Sequence, residues 1–238
     1  MSYAENPYQA PQYTFAAQAA ESERADFITK TYTHLAGAIA LFVVLEAVIL
    51  NTPGVERLVA TMIGGRFSWL IVLGLFMVVS WIANSWATSA VSLSTQYMGL
   101  GLYVVAEAII FTPLLFIANI IDPAIIPTAG AATLLLFGVL TAVVFITRKD
   151  FSFMRSALMF GGFAAMGLIV VAILTGFTLG PIFTVAMIAL ACGYILYDTS
   201  NVLHHYRIGQ HVAAALALFA AVALLFWYIL RLFMAARD

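Results

Sequence analysis

Seven long runs of apolar residues, separated by short polar breaks, constrain this 238-residue chain more than any other feature. The runs cover residues 33–50, 67–87, 97–120, 126–146, 153–174, 181–203 and 212–233. Each run is close to the roughly 20 residues that a helix needs to cross a bilayer. Because the runs are continuous and do not alternate with period two, they exclude a β-barrel. The sequence therefore predicts an all-α polytopic membrane protein with seven transmembrane helices.

Composition excludes the main classes of soluble protein. Hydrophobic residues make up 64% of the chain and charged residues only 9%, whereas soluble domains carry about 25% charged residues. The formal net charge is -1 and no basic stripe exists, which argues against nucleic acid as a partner. Cys192 is the single cysteine, so the chain has no cysteine cluster for a metal. We expect the lipid bilayer as a partner, and neither a cofactor nor a metal centre.

The chain is expected to have a polar tail and one membrane domain. Residues 1–30 lack the basic start, apolar core and cleavage site of a signal peptide, so we expect them to form a retained, flexible, cytoplasmic tail. Residues 31–238 would then form the seven-helix domain. Lysine and arginine favour the N-terminal side by six to four: Arg24, Lys30, Arg148, Lys149, Arg155 and Arg207 against Arg57, Arg66, Arg231 and Arg237. By the positive-inside rule, this distribution predicts a cytoplasmic N-terminus and an external C-terminus.

A polar stripe in the sixth apolar run is the strongest functional signal. The stripe consists of Tyr194, Asp198, Asn201 and His205. Their i, i+4, i+7, i+11 spacing places them on one helix face, which must face other helices or water because a polar face is costly against lipid. We interpret the stripe as a proton-sensitive gate centred on Asp198. The alternative is a structural aspartate that is hydrogen-bonded to the tyrosine and the asparagine.

Two further acids lie within apolar runs, where an ionised group costs several kcal/mol. Glu107 lies near the middle of the third run, and Glu46 lies in the outer half of the first. Each either lines a polar path or is a protonated carboxyl bonded within its own helix. We expect His34 to be an interfacial histidine and Arg231 to extend its charge toward the membrane surface.

Two segments, TRKDFSFMRSALMFG and ILYDTSNVLHH, resemble signature segments of the transmembrane Bax inhibitor motif family. The loop within the first segment is similar to that of the bacterial YccA-like branch. The resemblance extends from FITKTYTHLAGAIAL to the terminal AARD. It implies a seven-helix bundle whose last helix is enclosed by the other six, located in a bacterial-type inner (plasma) membrane and without catalytic chemistry.

The family resemblance also implies a function. Family members behave as pH-sensitive calcium leak channels whose sensor is a pair of aspartates on the sixth and seventh helices. Asp198 matches the sixth-helix position, but Ala221 and Leu224 stand where the seventh-helix motif LYLDxxN has its acid and its asparagine. The usual pair of coupled carboxylates is therefore absent. We expect a calcium or proton-linked cation leak gated by Asp198, with Glu107 or Glu46 as the candidate second acid.

The alternative function is regulatory. YccA-like members also lack the second acid, carry a polar N-terminal tail, and are associated with modulation of the membrane-embedded AAA protease FtsH. On this hypothesis the chain binds such a protease and conducts nothing. A third hypothesis is an intramembrane hydrolase that uses Asp198 and the histidines at 204, 205 and 211. The chain has neither G-x-S-x-G nor H-E-x-x-H, so we expect no enzyme.

Overall fold

The computed structural model describes residues 14–65, 67–89 and 92–237, and this part of the chain is helical almost throughout. Its α-helices are α1 (Glu21–Leu50), α2 (Val55–Ile63), α3 (Ser68–Ala87), α4 (Leu93–Ile121), α5 (Ile125–Thr147), α6 (Arg155–Thr175), α7 (Pro181–His204) and α8 (His211–Ala235). All except α2 are long and apolar enough to span a bilayer. The predicted seven-span fold class is confirmed, and the main difference is that α1 begins at Glu21 instead of residue 33.

The spans alternate in direction, which divides the bundle into two sides. His34 of α1 stacks on Tyr97 near the start of α4, with ring centroids 5.3 Å apart, and lies 4.9 Å from His211 at the start of α8. Helices α1, α4 and α8 therefore start on one side, which we call the N-side. Since consecutive spans alternate, α6 also starts there and α3, α5 and α7 end there. The opposite side, where α8 ends, is the C-side.

Helix α8 forms the centre of the bundle. It packs against α1, α3, α4, α5 and α7. In its most apolar stretch of 18 residues, 72% of the residues are buried. Its many alanines let the neighbouring backbones approach closely, which matters because burial from water does not drive helix association inside a bilayer. The predicted central last helix is confirmed as heavily buried. Helix α6 differs from the other spans because it packs mainly against α7.

Helix α2 was not predicted from the sequence. Val55, Val59 and Met62 are buried on one face, at a spacing that is typical of an amphipathic helix. The helix follows Gly54, whose φ of 93° lies in the left-handed region that favours glycine. At nine residues, α2 is too short to span, and it packs against α3 and α4 on the C-side.

A short segment before α1 is attached to the N-side of the bundle. We call residues 14–20 the N-terminal strap. Its Ala16 N–H donates to the Tyr206 carbonyl at 2.9 Å, and the Ile208 N–H donates to the Thr14 carbonyl at 3.0 Å. These bonds close an antiparallel bridge between Phe15 and Arg207. Of the predicted tail, residues 1–13 lie outside the described residues, as does Arg66 from the charge count.

Candidate functional site

A cavity of about 1060 Å³ lies between α3, α4, α6, α7 and α8. We call it the central cavity. Most of its lining is apolar, and its polar and charged members are Ser80, Asn84, Tyr103, Glu107, Tyr194, Tyr197, Asp198, Tyr228 and Arg231. Two of the acids singled out from the sequence, Asp198 and Glu107, therefore line the same space although they belong to different helices. Such a cavity is large enough for a drug-sized ligand.

Helix geometry gives the depth of the two acids below the N-side. Asp198 precedes the end of α7 at His204, which places it about 9 Å deep at 1.5 Å per residue. Glu107 follows Tyr97, which contacts His211 on the N-side with ring centroids 6.5 Å apart. It therefore lies about 15 Å deep. The two carboxyls thus lie about one helical turn apart along the membrane normal.

The position at which the family pattern has its second acid also faces the central cavity. Ala221 and Leu224 of α8 both line it. Ala221 follows His211 by the same number of residues as Glu107 follows Tyr97, so both lie about 15 Å from the N-side. An acid on α4 therefore enters the cavity at the depth where α8 presents only a methyl group. Tyr103, one turn before Glu107 on α4, lines the cavity as well.

The predicted polar stripe divides into two parts. Tyr194 and Asp198 line the central cavity, whereas Asn201 and His205 do not. The Tyr194 hydroxyl donates to the Leu158 carbonyl of α6 at 2.9 Å. No hydrogen bond joins the Asp198 carboxyl to another residue in the described part of the chain. Asn201 accepts through its backbone carbonyl from the N–H groups of His205 and Tyr206, the two residues that follow α7.

His205 belongs to a polar cluster on the N-side that sequence reasoning missed. We call Asp150, Ser200 and His205 the loop latch. His205 Nε2 lies 2.9 Å from Asp150 Oδ2, and Ser200 Oγ accepts from the Phe151 N–H at 2.9 Å. The backbone N–H of Ser152, helped by His205, lowers the pKa of Asp150 to about 2. The latch therefore joins the α5–α6 loop to the end of α7 by ionic and hydrogen-bonded contacts.

Tyr206 connects the N-terminal strap to the cavity acid. Its carbonyl accepts from the strap, as described above. Burial raises the pKa of its hydroxyl, and the charge of Asp198 raises it further. That electrostatic effect requires Tyr206 to lie close to Asp198. Strap, α7–α8 loop and acid are thus consecutive neighbours on the N-side.

Glu46 lies away from the central cavity. It belongs to the face of α1 that carries Phe42, whose ring packs against Phe111 of α4 at 5.1 Å and Phe219 of α8 at 6.1 Å. The residue is only 4% exposed. Within the described part of the chain, neither of its carboxylate oxygens has a hydrogen-bond partner. The structure thus brings Glu107, and not Glu46, to the space lined by Asp198.

The histidines and Arg231 occupy the two ends of the bundle. His34 Nε2 lies 3.1 Å from the Tyr97 hydroxyl near the N-side, and Arg231 lines the central cavity toward the C-side. Among the residues described, no three histidine, cysteine, aspartate or glutamate side chains come together as a metal site.

Comparison with known proteins identifies the family. A family model described as "Inhibitor of apoptosis-promoting Bax1" matches residues 24–238. No curated protein matches the chain. The matched range includes all seven spans except the first three residues of α1, together with the loop latch and both cavity acids. The chain therefore belongs to the Bax inhibitor family of multi-pass membrane proteins.

Proposed function

We propose that the protein is a pH-sensitive cation leak channel, with calcium as the conducted ion and Asp198 as the gating residue. The observation that carries the proposal is the shared central cavity of Asp198 and Glu107. Along α8 this cavity extends from Leu216 to Arg231, a distance of about 23 Å. A hydrocarbon core is about 30 Å thick, so the cavity covers most of the path that an ion must cross.

Glu107 supplies the second acid in this mechanism. Carboxylate oxygens are the ligands that calcium prefers, and acidic side chains in a pore select cations. When both carboxyls are ionised they attract a divalent cation and repel each other, whereas protonation of either removes the repulsion and weakens the attraction. Two such groups titrate as a coupled pair. Gating would follow because Asp198 lines the cavity and also lies close to Tyr206 of the α7–α8 loop.

Calcium flux into proteoliposomes at acidic, neutral and alkaline pH tests this proposal. We expect flux that changes with pH in the wild type, and a flattened pH profile in Asp198→Asn and in Glu107→Gln. Glu56→Gln is the control, because Glu56 is an exposed acid of α2 outside the cavity. Flux with an unaltered pH profile in both cavity variants would refute the gating mechanism, and no flux at any pH would refute conduction.

We also propose an orientation, with the N-side cytoplasmic in a bacterial-type inner membrane. The start of α1, the α5–α6 loop and the α7–α8 loop all lie on the N-side and carry six lysines and arginines. Such an excess is typical of cytoplasmic loops. With this orientation Asp198 lies near the cytoplasmic end of the cavity.

A second function is favoured by the N-terminal strap. Its hydrogen bonds to the α7–α8 loop mean that a partner which engages the preceding residues acts on a segment beside Asp198. We propose a membrane AAA protease of the FtsH type as this partner, in line with a YccA-like branch. Capture of the purified protease by the full chain, compared with a chain lacking residues 1–18, tests it. Equal capture by both chains would exclude docking through the tail.

A further inference from the structure

The central cavity opens sideways between α3 and α6. Helix α3 packs against α2, α4 and α8, whereas α6 packs against α7 and the 3-10 turn Ser152–Met154 that precedes it. These two helices line the cavity from opposite edges, and their described residues form no packed interface with each other. Lining side chains at both edges are exposed: Met77 and Trp81 by 52% and 73%, and Phe177 by 66%. In a membrane, this gap faces lipid.

The C-side end of the cavity holds Arg231, a cation that has no acidic partner among the residues described. Arg231 is half-buried, and its guanidinium lies 6.0 Å from the centroid of the Tyr228 ring. The described ion pairs join Lys30 to Asp26, His205 to Asp150, and Arg237 to Asp122, so none involves Arg231. Arginine keeps its charge at every physiological pH and binds carboxylates in a forked geometry.

Aromatic side chains place this end of the cavity at the membrane surface. Trp69, at the start of α3, stacks on Trp227 with ring centroids 6.1 Å apart. Both tryptophans line the cavity beside Arg231. Tryptophan is enriched at the boundary between hydrocarbon and headgroups. A headgroup held by Arg231 would therefore lie at its normal depth in the bilayer.

We propose that the central cavity takes up a single-chain anionic amphiphile, a long-chain fatty acid, from the bilayer through the gap between α3 and α6. Its carboxylate pairs with Arg231, and its chain extends toward Glu107. From Arg231 to Ala221, which lies level with Glu107, the cavity runs about 15 Å along α8. This length matches one acyl chain, since two chain lengths make up the roughly 30 Å hydrocarbon core. The two acids at the N-side end disfavour the reverse orientation. This inference goes beyond the proposed function and does not depend on conduction.

Photolabelling in proteoliposomes tests the inference. The probe is a palmitate that carries a diazirine in the middle of its chain, and the labelled peptides are mapped by mass spectrometry. We expect labels on cavity-lining residues of α3, α6 and α8. Unlabelled palmitate should compete at least about tenfold better than hexadecanol, because only the acid pairs with the guanidinium. Arg231→Gln should lower labelling by a similar factor, and Arg57→Gln, which alters an exposed arginine of α2, should not.

Two further variants keep the test decisive if Arg231→Gln does not fold. Arg231→Lys retains the charge and should keep the preference for palmitate over hexadecanol. Ala220→Trp fills the cavity from α8 and should abolish labelling. Equal competition by palmitate and hexadecanol overturns the inference, as does labelling that Ala220→Trp leaves intact. Stronger competition by hexadecyltrimethylammonium overturns it as well, because that result would place a cationic headgroup at the acids. The assay needs no ion gradient, so its failure is independent of the flux result.

Discussion

The close approach of α3 and α4, which form one wall of the central cavity, can be tested at a single glycine. A Cβ on Gly99 would lie 2.5 Å from both the Ala83 carbonyl oxygen and the Ala87 nitrogen. Both are backbone atoms, so α3 must move as a whole to accept Gly99→Ala. Gly101, on the same helix, has no atom within 4 Å of the corresponding position, so Gly101→Ala is a matched control.

The magnitude follows from two opposing effects. Both variants gain about 1 kcal/mol of helix propensity from glycine to alanine. Only Gly99→Ala also loses about 1–3 kcal/mol through overpacking. The difference between the two variants therefore isolates the packing effect at about 1–3 kcal/mol. At ~2–4 °C per kcal/mol for a chain of this length, Gly99→Ala should melt about 2–12 °C below Gly101→Ala.

Thermal unfolding of the purified protein in one detergent, followed by circular dichroism, provides the measurement. The two variants differ by the same chemical change, so effects of detergent and of the unfolded chain largely cancel. Equal melting temperatures would show that α3 and α4 do not approach each other at Gly99, and would refute the arrangement of this cavity wall.

Three other predictions concern the loop latch and the orientation. Ser200→Ala leaves a loop N–H without its acceptor and should lower stability by about 1–3 kcal/mol, measured by the same unfolding assay against the exposed control Ser85→Ala. In the folded protein the pKa of Asp150 is lowered to about 2 from 3.8. Its stabilising effect should therefore be full above about pH 4 and disappear as the pH falls toward 2. A stability difference between wild type and Asp150→Asn that stays constant down to pH 2 would contradict this. In a Cys192→Ser background, a membrane-impermeant maleimide added to cells should label Thr178→Cys on the C-side and should not label Lys149→Cys on the N-side. The opposite pattern would reverse the proposed orientation.

Most of the fold could be predicted from hydropathy alone because each span must satisfy its backbone hydrogen bonds internally. The two deviations have physical causes. Helix α1 extends beyond its apolar run because polar helix turns are stable outside the hydrocarbon, and its first turns hold the ion pair between Asp26 and Lys30. Helix α2 is short and only half apolar, so a search for spans passes over it, although the spacing of Val55, Val59 and Met62 would have revealed it.

The candidate site could be predicted only in part. Asp198 stands out because its own helix carries a polar stripe, whereas Glu46 and Glu107 lie on helices that are apolar nearly all round, so periodicity does not indicate which face is buried. Tertiary packing makes the distinction by placing Glu107 in the central cavity and Glu46 on the buried face of α1 that carries Phe42. The role of Asp150 was equally hidden, because its partner His205 is distant in the sequence and only the fold brings the two together.

The N-side contacts connect the two proposed functions. The N-terminal strap bonds to the backbone on both sides of Arg207, and the loop latch bonds to His205, two residues earlier. Asp198 lies in the last turns of the helix that leads into this loop. Displacing the strap would therefore free the backbone next to Tyr206, which borders Asp198, whereas protonating Asp198 would change the charge beside Tyr206. On the two proposals, a partner on the tail and a proton in the cavity would act on the same short loop from opposite directions, so proposed regulation through the tail and proposed gating by pH are compatible in one molecule.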